Sequence, residues 1–160
     1  MRYLLLFTLA VALQAQTVFV VRHAERTGEP DPPLNADGQR RAEALSRMLA
    51  DAGVKTFIAS EALRAQQTAL PTARRANREV EVLRDKAIDE ITARARAATT
   101  PADATLVVGH RSTVPLIVKA LGGGEIPELG SAEHDRLLVV SLLPNGGATV
   151  TTLRFEAPAQ

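Results

Sequence analysis

Arginine and histidine stand together twice in this chain, each time where an apolar run ends. Arg22-His23-Ala24-Glu25 follows Val18-Phe19-Val20-Val21, and Gly109-His110-Arg111 follows Leu106-Val107-Val108. Two of the 3 histidines therefore sit at such an exit. An imidazole changes charge near neutral pH, with an unperturbed pKa of about 6.5, and its neutral ring carries a lone pair. A guanidinium offers a fork of N–H donors that matches the oxygens of an anion. Polar groups of this kind at the end of a buried strand are oddly placed unless chemistry happens there. The third histidine, His134, precedes a late apolar strand and reads as a surface residue.

The surrounding pattern says how these residues are positioned. Thr17–Val21 reads as a buried strand, apolar without alternation. Residues 27–33 hold a glycine, an aspartate and three prolines and read as a loop. Asn35 is the expected N-cap of a helix whose apolar positions Ala42, Leu45, Leu49 and Ala52 recur at helical spacing, ending at Gly53. Further strands are expected at Thr56–Ala59, Val80–Leu83 and Thr105–Val108. Helices are expected from Leu63 to about Asn77, broken or kinked at Pro71, and over Ile91–Ala98. A last helix has Pro115 in its first turn and runs to Leu121, stopping at Gly122-Gly123-Gly124. Arg136–Leu142 and Ala148–Arg154 form a closing hairpin around Pro144-Asn145-Gly146-Gly147. Alternating strands and helices imply an α/β fold of three layers, a mostly parallel sheet with helices on both faces and a C-terminal β-hairpin. In open sheets of this kind ligands bind at the carboxyl ends of the strands. His23, Ser60 and His110 all follow expected strands, so the fold would deliver them to one rim.

Composition removes several alternatives. The chain has 160 residues, enough for one domain with one core, and its formal charge is only +1. It therefore lacks the polycationic surface that coats nucleic acid, and with 3% aromatic residues it lacks a stacking platform for single strands. No cysteine is present, which rules out disulfides, thiolate metal sites and a cysteine nucleophile. Met1-Arg2-Tyr3 followed by the apolar run Leu4–Leu13 has the anatomy of a signal peptide, too short for a stable span. Cleavage after Ala15 or after Ala12 would release a domain over residues 16–160, exported to a periplasm or secreted. The basic pairs Arg40-Arg41 and Arg74-Arg75, with Arg94 and Arg96, read as solvated helix faces.

Four blocks in order resemble the histidine phosphatase superfamily, the group that includes cofactor-dependent phosphoglycerate mutase. Val21-Arg22-His23-Ala24-Glu25 is similar to its opening Arg-His motif. Leu34-Asn35-Ala36-Asp37-Gly38-Gln39 resembles its helix start. Ala59-Ser60-Glu61-Ala62-Leu63-Arg64 through Ala69 resembles the block with a phosphate-binding arginine, and Gly109-His110 the block with the second histidine. The stretch from Glu133-His134-Asp135 to Arg154 resembles the C-terminal hairpin of small exported members.

The resemblance implies a metal-independent phosphomonoesterase that needs no cofactor. His23 would attack phosphorus and form a phosphohistidine, splitting hydrolysis into two steps. Arg22 and Arg64, with Arg111 as a further candidate, would bind the phosphoryl oxygens, and His110 would hydrogen-bond to them as charge develops. A carboxylic acid must also protonate the leaving oxygen and later deprotonate the attacking water. Asp85, Asp89 and Glu90 are the candidates after the third strand. Glu90, in Ile88-Asp89-Glu90, best fits the family's leucine-x-glutamate pattern; Glu25 is its rival, unless it orients an arginine. Ser60 and Ser112 would cap helices or contact phosphate.

Two other readings stay open. A phosphomutase would need lids and insertions for which this short chain leaves little room. A catalytically silent phosphoanion-binding module would carry the same blocks without turnover. A histidine–metal site is a poor fit, because adjacent arginines oppose a cation. The expected partner is a small phosphorylated substrate or a phosphoprotein, with no nucleic acid and no membrane span; the oligomeric state is not legible.

Overall fold

The computed structural model describes residues 16–28 and 30–155; the apolar start at residues 1–15, with both candidate cleavage points, lies outside the described residues. The strands are β1 (Gln16–Arg22), β2 (Val54–Ser60), β3 (Val80–Leu83), β4 (Ala104–Gly109), β5 (Arg136–Leu142) and β6 (Ala148–Arg154). Between them run α1 (Ala36–Met48), α2 (Leu63–Arg75), α3 (Ile88–Ala98) and α4 (Thr113–Val118). The sheet order is β3-β2-β4-β1-β5-β6. Pairs β2–β3, β2–β4 and β1–β4 are parallel, and the hairpin β5–β6 adds antiparallel to β1. This is the expected three-layer α/β fold with its closing hairpin.

Side-chain alternation along the strands explains the layers. Phe19 and Val21 of β1 face a core with Leu45 and Leu49 from the α1 segment and Ala65, Ala69 and Ala73 of α2. Val18 and Val20 face the opposite core, with Ile91 and Ala95 of α3 and Val114, Ile117 and Val118 of α4. Both sides of β1 are therefore covered, which is why its sequence is apolar at successive positions. The small stripe on α2 lets that helix lie close on the sheet.

Local chemistry sets the element ends. Asn35 caps α1 as expected, its side-chain oxygen accepting from the Gly38 amide at 2.9 Å. Gly38 itself allows a close approach, since a Cβ there would lie 2.1 Å from the Glu25 carbonyl oxygen. Pro71 does not break α2, which runs through it to Arg75. α3 starts at Ile88, not Ile91, placing Asp89 and Glu90 in its first turn, where carboxylates complement the helix dipole. α4 passes into a π-type turn over Lys119–Gly123. Gly122 ends it at φ +84°, where a side chain would be strained and would meet the Gly146 carbonyl.

Candidate active site

Strand register, before any side chain is considered, brings the two histidines together. Arg22 of β1 pairs with Gly109 of β4, and Ala59 of β2 pairs with Val108 of β4. The next residues along the three parallel strands are His23, Ser60 and His110. The His23 amide donates to the Gly109 carbonyl at 2.9 Å, extending the pairing past the strand ends. The rings of His23 and His110 meet edge to face, with centroids 5.1 Å apart.

His23 is 5% exposed. Its Nδ1 lies 2.8 Å from the Ala24 carbonyl. A carbonyl only accepts, so Nδ1 carries the proton and the neutral ring presents its lone pair at Nε2. Among the described residues nothing hydrogen-bonds to Nε2. Burial pushes the ring's pKa down to about 3; the Ala24 carbonyl acts against this, while His110, Arg64 and Arg22 add to it. At neutral pH the group is thus an uncharged imidazole with a free nitrogen, the form in which it is nucleophilic.

One flank of His23 is a web of side chains from β2, β4 and the segment after β3. Ser60, buried at the end of β2, lies with its Oγ 2.7 Å from His110 Nε2. Asp85 Oδ1 stands 3.5 Å from the same nitrogen and accepts from the Thr113 hydroxyl at 3.0 Å. Thr113 in turn accepts from the His110 amide at 3.0 Å. Arg64 Nη2 is 3.4 Å from His110 Nδ1, and its Nη1 donates to Asp31 at 3.1 Å. Burial lowers the pKa of His110; Asp85 and Glu61 work against that, Arg64 and Arg22 with it.

The other flank is built by the connection before β5. Arg22 Nη1 donates to the carbonyls of Gly130 and Ser131, both at 2.9 Å, and of Glu133 at 3.2 Å. His134 Nδ1 donates to the His23 carbonyl at 2.8 Å, and its ring centroid lies 5.7 Å from that of His23. His134 is therefore not the surface residue its sequence context suggests; all three histidines belong to one cluster. A cleft of about 320 Å³ opens here, lined by Arg22, His23, Glu25, Arg26, Asn35, Ser131 and His134. The Nε atoms of Arg22 and Arg64 are buried and have no hydrogen-bond partner among the described residues. Both arginines thus keep an unpaired N–H donor, and both act by their charge on His23. Among the described residues no group of three or more His, Cys, Asp or Glu could hold a metal ion.

The remaining sequence candidates separate. Glu25 receives Arg41 through both carboxylate oxygens, at 2.6 to 2.9 Å. Burial would raise its pKa, but the Arg41 hydrogen bonds outweigh that and hold the carboxyl below its ordinary value. Arg41 is thus a buried partner, not part of a solvated face, and it also lies over the Phe155 ring at 5.7 Å. Arg111 is about half exposed and paired with Glu128 at 3.0 Å. Glu90 is exposed in the first turn of α3, and among the described residues no hydrogen bond or ion pair joins it to the histidine cluster. Asp85, another acid named after the third strand, is the one that lies beside His110. The signal was present: Leu83-Arg84-Asp85 is a leucine-x-acid pattern ending just past β3, with aspartate for glutamate. Ser60 contacts His110 instead of capping α2, whose N-cap is Ala62, and Ser112 makes no side-chain cap bond.

Known proteins resemble this chain in sequence and in fold. A family model described as the histidine phosphatase superfamily (branch 1) matches residues 16–100, just over half of the chain. That match contains Arg22, His23, Arg64 and Asp85 and stops short of His110 and His134. No curated protein matches. Among solved structures, the protein histidine phosphatase SixA complexed with tungstate superposes with a TM-score of 0.69 at 21% identity, covering 86% of this chain and 96% of that one. A Nakamurella multipartitia protein described as SixA gives 0.64 at 25% identity, covering 91% and 98%. A mycobacterial glucosyl-3-phosphoglycerate phosphatase with inorganic phosphate gives 0.64 at 16% identity, covering 91% and 100%.

Proposed function

The chain belongs to the histidine phosphatase superfamily, branch 1, and from that membership we propose that it hydrolyses phosphomonoesters without a metal, through a phosphohistidine on His23. The observation that carries this is the state of His23: buried, fixed by Nδ1, uncharged at neutral pH, with Nε2 free between His110 and two arginines. In the first step the Nε2 lone pair attacks phosphorus and the bond to the leaving oxygen breaks. Arg22 and Arg64 hold the phosphoryl oxygens through charge-assisted hydrogen bonds, and His110 stabilises the charge that develops on them. Asp85 gives its proton to the leaving oxygen and takes one back from the water that attacks in the second step. It replaces Glu90 in this role because Asp85, and not Glu90, stands beside His110. Arg111, tied to Glu128, contributes its field and no direct contact. In the second step water displaces His23 from phosphorus.

Several features support turnover over silent binding. A silent anion site has no use for an uncharged nucleophile, whose burial disfavours the protonated ring that would bind an anion best. Tungstate in SixA and phosphate in the mycobacterial phosphatase are tetrahedral oxyanions of the kind this site would bind. SixA extends the substrate range to phosphohistidine on proteins, and the same chemistry serves both. Export, read from residues 1–15, would place the enzyme outside the cytoplasm; cell fractionation of the full-length protein checks it.

The test uses p-nitrophenyl phosphate and a phosphoryl-labelled substrate in rapid quench. We expect an acid-labile label on His23 and loss of turnover by at least ~10⁴-fold in His23→Ala. EDTA should leave the rate unchanged. Release of p-nitrophenol that persists in His23→Ala would end this reading, and so would activity lost to the chelator.

A further inference from the structure

We propose that Asp31 is a positioning residue for the phosphoryl site: from the loop between β1 and α1, its carboxylate holds the Arg64 guanidinium in place and fixes the turn of α2 that carries it. This role rests on the reading of Arg64 as a phosphoryl ligand and brings in a loop that the mechanism above does not use. Asp31 is the acid of the proline-rich stretch over residues 27–33.

The Asp31 carboxylate makes two kinds of contact. Its Oδ1 accepts from Arg64 Nη1 at 3.1 Å. Both oxygens also lie within reach of the Leu63 amide, at 3.1 and 3.2 Å. The N-cap of α2 is Ala62, which makes no side-chain cap bond. Asp31, 32 residues before Leu63, therefore supplies the acceptor that the helix start lacks locally, and its charge complements the helix dipole. With Nη1 held in this way, Arg64 keeps Nη2 beside His110, 3.4 Å from Nδ1. One carboxylate thus fixes both the backbone of Arg64's turn and the end of its side chain.

The loop is built to hold that carboxylate still. Its neck is closed where the Asn35 amide donates to the Glu25 carbonyl at 3.1 Å and Arg26 pairs with Leu34 in an antiparallel bridge. Two further bonds fasten the same segment to α2. The Leu34 amide donates to Gln67 Oε1 at 2.8 Å, and the Ala24 amide to Thr68 Oγ1 at 2.9 Å. Pro32 and Pro33 fix their own φ and narrow the backbone choices of Asp31. The Asp31 side chain is 51% exposed, so its ion pair with Arg64 adds little to stability. A carboxylate this close to a phosphoryl ligand also repels the anion. What offsets that repulsion is a guanidinium already ordered when the anion arrives, and misplaced binding groups cost rate steeply.

The experiment measures tungstate binding by calorimetry and turnover of p-nitrophenyl phosphate in the full-length protein, in Asp31→Asn, Asp31→Ala and Arg64→Ala, and in Asp31→Asn combined with Arg64→Ala. Asparagine keeps an oxygen for the Leu63 amide and loses the charge that holds Arg64. Asp31→Asn should weaken tungstate binding about 10-fold and lower kcat/KM by a similar factor, with Tm nearly unchanged. Asp31→Ala should show the same losses and a lower Tm as well, because the Leu63 amide then lacks its acceptor. In the Arg64→Ala background, Asp31→Asn should change neither quantity by more than about twofold, which a role in helix stability alone would not produce. Three results would each overturn the role. One is tungstate binding and turnover in Asp31→Asn within about twofold of the unmodified protein. The second is tighter tungstate binding in that variant, which would make Asp31 a competitor of the anion for Arg64. The third is an equal loss with and without Arg64. Tungstate binding needs no turnover, so a failure of the phosphohistidine step shows separately. His23 unlabelled in rapid quench, with the Asp31 losses intact, would overturn that step and leave the positioning role standing.

Discussion

The two flanks of His23 are built on different principles. On the His110 side, contacts run between side chains: Ser60, Asp85, Thr113 and Arg64 surround one imidazole, each from a different segment near the strand ends. On the His134 side, contacts run from side chain to backbone, with Arg22 and His134 binding four carbonyls in all. A side-chain web sets charge and proton positions. A backbone clamp sets where a loop lies. The first flank therefore tunes chemistry, and the second shapes the cleft and fixes the loop before β5.

Both flanks nevertheless share one cost, an imidazole cluster that folding keeps neutral. The pKa of His23 falls to about 3, and those of His110 and His134 are also lowered. A folded-state pKa below the unfolded one means that the unfolded chain binds more protons in the window between them. Stability is then complete above about pH 6.5 and is lost as pH falls toward 3. With the shift from 6.5 to about 3, His23 alone accounts for roughly 4 to 5 kcal/mol across that whole window. Urea unfolding at pH 7 and at pH 4.5 should differ by at least about 2 kcal/mol, and His23→Asn should shrink the difference. A stability that stays flat from pH 7 to 4.5 would mean that the cluster is open to water.

The sharpest contrast between the flanks comes from exchanging each arginine for lysine. Arg64→Lys removes the forked contact to the phosphoryl oxygens and leaves the loop before β5 untouched. Its kcat/KM should fall by about 10² to 10³, with Tm nearly unchanged. Arg22→Lys should lose a similar factor and also lower Tm by several degrees, because one ammonium cannot hold three carbonyls and an anion together. Equal Tm for the two variants would show that the clamp contributes nothing to the loop. On the web side, Asp85→Asn should lower kcat by about 10² for an alkyl phosphate. The loss should be much smaller for p-nitrophenyl phosphate, whose leaving group needs no proton. Equal losses on both substrates would remove Asp85 from proton transfer.

The flanks also differ in how far the sequence discloses them. Parallel strands ending in Arg22-His23, Ser60 and Gly109-His110 reveal the web, because register in a parallel sheet aligns strand ends and each apolar run marks its own end. The sequence pattern favours Glu90 over Asp85, since no pattern says that α3 starts at Ile88 and leaves Glu90 exposed. His134 lies 111 residues from His23, in a connection without regular structure. Its place depends on three carbonyls that happen to face Arg22, and backbone carbonyls leave no trace in residue types. Arg41 escaped for a related reason: an arginine pair on a helix reads as solvated until a carboxylate 16 residues away is known to meet one of its members.

Ser60 gives the finest measure of the web. Its hydroxyl and the Asp85 carboxylate both stand near His110 Nε2, at 2.7 and 3.5 Å. If the hydroxyl relays between them, Ser60→Ala leaves His110 facing Asp85 across a gap too long for a good hydrogen bond. The removed interaction is one hydrogen bond in a buried network, about 1 to 2 kcal/mol, so kcat should fall about 10-fold. The loss should grow on substrates with poor leaving groups, where His110 and Asp85 act together. Combined with Asp85→Asn it should add little, since both changes disable the same imidazole. Fully additive losses would show that Ser60 and Asp85 serve His110 independently, and the web would then be two separate contacts.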